Sequence, residues 1–316
     1  MLKGEKIFIT GGGGFLGKHL IKAYYEHNEI TIYSRDEAKH YYIKKQFPKV
    51  NCVIGNVQNY ERLYEASKGH TIGIFAASLK QIEAVDQNVA EAIDTIVIGA
   101  QNSRRVAIEH GMKAATFISS DKSRAATTLY GAMKFVGGEL FIINAEKEKT
   151  LLSSVIYGNV FNSTGSIVPL MWNAIENKYP LKLYGAEMTR FMIEGTEAVR
   201  CVDYALGTTG VSIVPSLKSM RIADLFEIFS EQFGLEYTIG EPRISEKIHE
   251  IMIAEPEADR VTFDPYHNMY AIHYKNISGT VKLPQNGYSS ADHTMSKEAL
   301  NDILLKHNYY KGSPLF

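Results

Sequence analysis

Short apolar runs, rich in β-branched and aromatic residues, alternate through the first half of the chain with polar segments of helical period. The first run, Lys6–Thr10, stops at the consecutive glycines Gly11 to Gly14, and the pattern resumes as a helix over residues 15–25. Further strands are expected at residues 30–33, Asn51–Ile54, 71–75, 115–118 and 151–156, with a helix carrying Tyr130 and Lys134 between the last two. Strands that alternate with helices imply right-handed crossovers and a parallel sheet covered on both faces. The expected class is therefore α/β, a Rossmann-like doubly wound parallel sheet.

After Tyr157 the rhythm changes. Residues 162–169 and 177–185 read as loop-rich, and 259–285 carry aromatics but few helical periods. Strand pieces are expected near 198–204 and 210–214, returning to the main sheet, and a last helix from about Ser296. This predicts a dinucleotide-binding domain over 1–160, with returning pieces near 192–215, and a smaller, mainly substrate-binding region over 161–316.

A chain of 316 residues buries about three quarters of its unfolded surface and needs no staples. Its 34 basic and 35 acidic residues nearly cancel, which excludes a global field for nucleic acid or an anionic membrane. Cys52 and Cys201 lie far apart and in no ligand spacing, so buried thiols in a reducing compartment are expected, and no metal. No run approaches about 18 apolar residues, and the start lacks a long apolar leader, so a soluble, cytoplasmic protein is expected.

Gly11, Gly14 and Gly17 form G-x-x-G-x-x-G between a strand and a helix, the context that makes a dinucleotide fingerprint credible. Glycines admit a pyrophosphate to the backbone, and the helix N-terminus supplies N–H donors and a positive dipole end. Ser34 and Arg35 end the second strand, followed by Asp36. Arg and Ser there suit the 2′-phosphate of NADP, whereas a carboxylate suits the ribose of NAD. The reading favours NADP over NAD and leaves Asp36 as ribose partner or helix cap.

Tyr130 and Lys134 stand four apart, on one helical face. A lysine ammonium and an oxidised nicotinamide beside the phenol are expected to lower its pKa, which suits a base for an alcohol during hydride transfer. Ser119 and Ser120 lie at a strand end, where open parallel sheets bind ligands, and Asp121 and Lys122 follow directly. They offer a second proton-transfer pair. A C4 ketone acidifies the neighbouring C5–H, so a base there and an acid at the C6 hydroxyl can expel water. A 4-epimerase or reductase needs only Tyr130 and Lys134, and a non-catalytic NADP-sensing protein needs neither pair.

The segments ITGGGGFLG, SRDE, AASLKQ, ISSDKSRAATTLYGAMK, VIYGNVFNSTGSIVPLM, MTRF and EKIHE occur in the order found in extended short-chain dehydrogenase/reductases of polysaccharide biosynthesis. From Lys6 to roughly Asp292 the chain most resembles the soluble, inverting UDP-N-acetylglucosamine 4,6-dehydratases. The resemblance implies that Tyr130 deprotonates the C4 hydroxyl, that Lys134 holds the nicotinamide ribose, and that Lys122 and Asp121 act at C5 and C6. It implies cofactor contacts from Phe15, Leu16, Asn56, Val57, Ala76, Ala77, Lys80 and Ser119 beside the glycines, Ser34, Arg35, Tyr130 and Lys134. It implies UDP-sugar contacts from Lys80, Ser120, Asn159, Arg190, Arg243 and Glu246, and self-association as a homo-oligomer. Three departures stand out: Asn56 replaces an Asp, Ile96 an Asn, and Ile244-Ser245 a Pro-Gly pair.

Overall fold

The computed structural model describes residues 2–242, 245–284 and 287–309. Its centre is a nine-stranded sheet. The strands β1 (Lys6–Thr10), β2 (Glu29–Ser34), β3 (Asn51–Ile54), β4 (Ile72–Phe75), β5 (Ala114–Ile118) and β6 (Leu151–Val155) lie in the order 3-2-1-4-5-6, all parallel. This is the Rossmann order, whose direction reverses between β1 and β4, where ligands bind. The strand Val211–Pro215 pairs parallel with β6, and an antiparallel hairpin of Met269–His273 and Val261–Asp264 closes that edge. The aromatic stretch after 259 thus joins the main sheet.

Both faces of the sheet are covered, which explains why its strands read as continuous apolar runs. Within β1, Ile7 and Ile9 face one core with Leu20, Ile32 and Ile74, while Phe8 faces another with Tyr33, Phe75 and Phe117. A third core, around Phe161, Met171, Met220, Phe226, Phe229 and Leu304, holds the later region. Small sheets frame that region: Ser219–Arg221 with Thr189–Ile193 and Asn159–Val160, and Leu181–Leu183 with Tyr237–Ile239. Ser296 caps the last helix, Lys297–Lys306, through Ala299 N–H at 3.2 Å.

One expected element is of another type. Residues 198–204 belong to the helix Gly195–Ala205, not to a strand. Its buried Ala198, Val199, Cys201, Val202 and Ala205 follow the helical three-four spacing, which a short window rich in valine disguises. The stretches read as loops also hold structure, since a helix starts at Ile167 and a strand covers Leu181–Leu183. Cys201 is buried and Cys52 partly so. Among the described residues no helix is long and apolar enough to cross a membrane, and no cluster of His, Cys, Asp and Glu is arranged to hold a metal.

Candidate active site

The junction between β1 and the first helix, Phe15–Tyr24, needs glycine at two positions, one in the loop and one in the first helical turn. Gly11 has φ +71°, and a Cβ there would lie 3.0 Å from the Ala76–Ala77 backbone. A Cβ on Gly17 would stand 2.2 Å from the Gly12 carbonyl oxygen, so the helix is pressed against the turn that precedes it. No side chain caps this helix at Gly14, and its first turn carries no acid. Its positive end therefore faces the crevice, the arrangement that receives a diphosphate.

From this loop a cavity of about 930 Å³ runs across the sheet to the ends of β4 and β5. Gly11, Gly14, Phe15, Leu16, Gly17, Ser34, Arg35, Asn56, Val57, Ala76, Ala77, Lys80 and Ser119 line it, as do Ser120, Asp121, Lys122, Tyr130, Lys134 and Asn159. At its β2 end, Arg35 Nη1 lies 2.7 Å from Glu91 Oε1, and Ser34 Oγ 2.7 Å from His40 Nε2. Asp36 caps the helix Glu37–Gln46, accepting from Lys39 N–H at 3.0 Å. The cap reading of Asp36 is thus the one its geometry matches. Asn56 turns its Oδ1 to the Gln58 N–H at 3.2 Å. Lys80 donates to the Thr164 carbonyl, joining the β4 loop to the loop that follows Val160.

At the opposite end, β5 stops at Ile118 and the chain turns through a 3-10 segment, Asp121–Ser123, with Ser120 Oγ accepting from Lys122 N–H at 3.3 Å. The helix Leu129–Ile142 begins at Thr128, whose hydroxyl accepts from Gly131 N–H at 3.1 Å. A Cβ on Gly131 would lie 2.2 Å from the Lys122 carbonyl oxygen. The missing side chain lets the first helical turn rest on the Asp121–Lys122 loop. Tyr130 and Lys122 consequently share one wall.

Lys122 Nζ lies 3.3 Å from Asp121 Oδ1, 3.4 Å from Asn159 Oδ1 and 3.4 Å from Glu250 Oε1. Burial opposes the Lys122 charge, yet the two carboxylates outweigh it and raise its pKa. Burial, assisted by Glu250, raises the Asp121 carboxyl against the pull of Lys122. Asp121 Oδ2 is buried and without a hydrogen-bond partner, a carboxyl oxygen free to serve a ligand. Lys134 Nζ donates to the Ile118 carbonyl at 2.7 Å, and burial draws its pKa down to about 7.

Burial is the largest influence on the Tyr130 phenol and raises its pKa, and within the chain the cation that opposes this is Lys122, helped by a hydrogen bond with Ser120.

The polysaccharide biosynthesis protein family model matches residues 7–273. The chain belongs to that family. Among its relatives, a "UDP-N-acetylglucosamine 4,6-dehydratase (inverting)" of Campylobacter jejuni is 34% identical over 295 residues, covering 90% of this chain and 85% of the relative. A "UDP-glucose 4-epimerase" of Rickettsia canadensis is 30% identical and covers 98% of both chains. The crystal structure of Pen from Bacillus thuringiensis shares the fold, with a TM-score of 0.89 at 24% identity over 97% of this chain and 99% of its own.

In this member of the polysaccharide biosynthesis protein family, two proposed substrate contacts lie off the cavity wall. Arg190 is 5% exposed on the strand Thr189–Ile193 and already donates to the carbonyls of Thr189 and Ile248 and to Glu246 Oε1, at 2.8, 3.1 and 3.0 Å. In this structure the guanidinium and the Glu246 carboxylate are thus bonded to each other, and neither lines the cavity. Arg243 lies outside the described residues. Glu250, conversely, escaped sequence reading. It ends EKIHE without any period or pairing that singles it out, and only the folding of that segment beside Ser289 and Ser290 brings it to Lys122.

Proposed function

We propose that the protein is a configuration-inverting, NADP-dependent UDP-N-acetylglucosamine 4,6-dehydratase. The single observation that carries this reading is the pairing of buried Asp121 with half-buried Lys122, placed on the same cavity as Tyr130 and the glycine loop. The C. jejuni relatives bearing that name support it. In the same reading the protein is a cytoplasmic homo-oligomer.

The glycine cradle, the uncapped helix end and Ser34-Arg35 fit a nicotinamide dinucleotide. A bound nicotinamide would supply hydride acceptance and return. Tyr130 takes the proton of the C4 hydroxyl, and Lys134 meets the ribose hydroxyls. Lys122 accepts the C5 proton in its neutral form. A shift of one proton from Lys122 to Asp121 yields that amine together with a carboxylic acid, without change in net charge.

The acid then protonates the departing C6 hydroxyl, which leaves as water. The pair is returned to ammonium and carboxylate. A proton reaches C5 from the opposite face and inverts it, the hydride for C6 being the one a bound nicotinamide would return. The proton taken from the C4 hydroxyl balances the one C5 regains, so the protein ends each turnover as it began.

Similarity to the R. canadensis 4-epimerase supports a second reading. An epimerase uses Tyr130 and Lys134 and leaves Asp121 and Lys122 without work. Chromatographic separation coupled to mass spectrometry of UDP-N-acetylglucosamine after incubation distinguishes the two. Dehydration removes the mass of one water, whereas an isomer of unchanged mass supports epimerisation and defeats the dehydratase reading.

Cofactor choice has its own test. Arg35→Ala is expected to weaken NADP binding by about tenfold or more, the loss of a charge-assisted contact of about 1.5–3 kcal/mol, and to leave NAD nearly unchanged. Fluorescence titration measures both. Equal affinity of the variant for NADP would remove Arg35 from the site.

A further inference from the structure

Glu250 is a buried carboxylate that the chemistry above does not use. Its backbone is clamped from both sides, with its N–H donating to Ser290 Oγ and Ser290 N–H donating to its carbonyl, both at 2.8 Å. Ser290 Oγ in turn lies 2.7 Å from Thr189 Oγ1. The side chain is thereby fixed among three cations: Lys122 Nζ at 3.4 Å, Lys247 Nζ at 3.6 Å and Arg190 Nε at 3.8 Å. Lys247 is itself held by the Arg124 carbonyl at 2.7 Å, so this face is built rather than fortuitous.

We propose that Glu250 is a positioning residue for elimination: it holds the Lys122 amine between two carboxylates, screens it from Arg190 and makes it a stronger base. The proposal rests on the dehydratase reading for the step it serves. Its electrostatic part stands independently. The charged and titratable groups around Lys122 are Asp121, Glu250, Arg190, Tyr130 and, beyond Glu250, Lys247. Without Glu250, one carboxylate remains, and a buried guanidinium and the Lys247 ammonium face Lys122 without a screen. Both changes disfavour the protonated amine.

The sign follows directly. Acylation needs the free amine, so it rises with pH through the Lys122 titration, whereas dehydration, which uses the one proton shared by Lys122 and Asp121, falls as that proton is lost. Glu250→Gln keeps the shape and removes the charge, so both limbs move to lower pH by on the order of one unit or more, roughly a tenfold change in proton affinity. A weaker base gives a lower dehydration plateau. Glu250→Asp keeps the charge and leaves both limbs near their original position, with a reduced rate from the shorter reach.

The experiment records dehydration against pH for the wild type and both variants. Alongside, amine acylation of Lys122 in the intact protein is followed against pH by peptide mass spectrometry. Acylation of the glutamine variant beginning at lower pH than in the wild type, with the aspartate variant close to the wild type, supports the proposal. Identical acylation profiles in all three overturn it, whatever the turnover. A wild type that never dehydrates but shows the acylation shift defeats the dehydratase reading and leaves the control of Lys122 by Glu250 standing. If the glutamine variant does not fold, the aspartate variant decides alone: an acylation profile moved to lower pH by a full unit, despite its retained charge, counts against the proposal.

Discussion

Lys122→Ala is expected to stop dehydration while C4 oxidation continues at a reduced rate. Lys122 lines the cavity and stands against both Asp121 and Glu250, at 3.3 and 3.4 Å. Loss of a positioned base costs about 10²–10⁴-fold in rate. Oxidation at C4 is assigned to Tyr130 and Lys134, which the substitution leaves in place, but without Lys122 the phenol holds its proton more tightly and oxidation is slowed. Reduced nicotinamide is therefore expected to accumulate, visible by its absorbance, with no water lost from the sugar. Removing the cation also leaves Asp121 and Glu250 as neighbouring buried carboxylates, so the unfolding temperature is measured in parallel. Full dehydration by a folded variant would refute Lys122 as the C5 base.

Tyr130→Phe gives a different failure. The ring packs with Val85, Ile96 and Met133, contacts that phenylalanine preserves, so the fold is expected to survive. What is lost is the hydroxyl that takes the C4 proton, again with a loss of about 10²–10⁴-fold. Every later step depends on the C4 ketone, so neither reduced nicotinamide nor C5 exchange appears. Absorbance and proton exchange together separate the variants: Lys122→Ala gives the first signal without the second, and Tyr130→Phe gives neither. Accumulation of reduced nicotinamide at the wild-type rate in Tyr130→Phe would assign C4 deprotonation elsewhere.

The parallel sheet and its cofactor loop were legible in the sequence because each is a local signal. Lys6–Thr10 and Asn51–Ile54 are apolar runs bounded by glycine or polar turns, and the glycine spacing states its own geometry. The Tyr130–Lys134 and Asp121–Lys122 pairs were visible for the same reason, as near neighbours at a strand end. Residues 198–204 were misread because a short valine-rich window satisfies both periods, and packing decided for helix.

What escaped was non-local. Glu250 meets Lys122 across a long sequence separation, and Arg190 spends its donors on Glu246 and nearby carbonyls; neither pairing leaves a pattern along the chain. The engagement of Arg35 by Glu91 is of the same kind, a contact between a strand end and a distant helix. The Tyr130 phenol shows the limit of spacing arguments most clearly. Four residues of separation predicted the shared helix face, but burial and Lys122 determine its proton affinity. The proposed division of labour between the two pairs thus draws on contacts that only the assembled cavity supplies.

The most direct test is incubation of the purified protein with UDP-N-acetylglucosamine and NADP in deuterated water, followed by NMR. The account predicts a new C6 methyl signal, deuterium at C5 and an inverted C5 configuration. A C4 epimer with protium retained at C5, or an unchanged sugar, would contradict it.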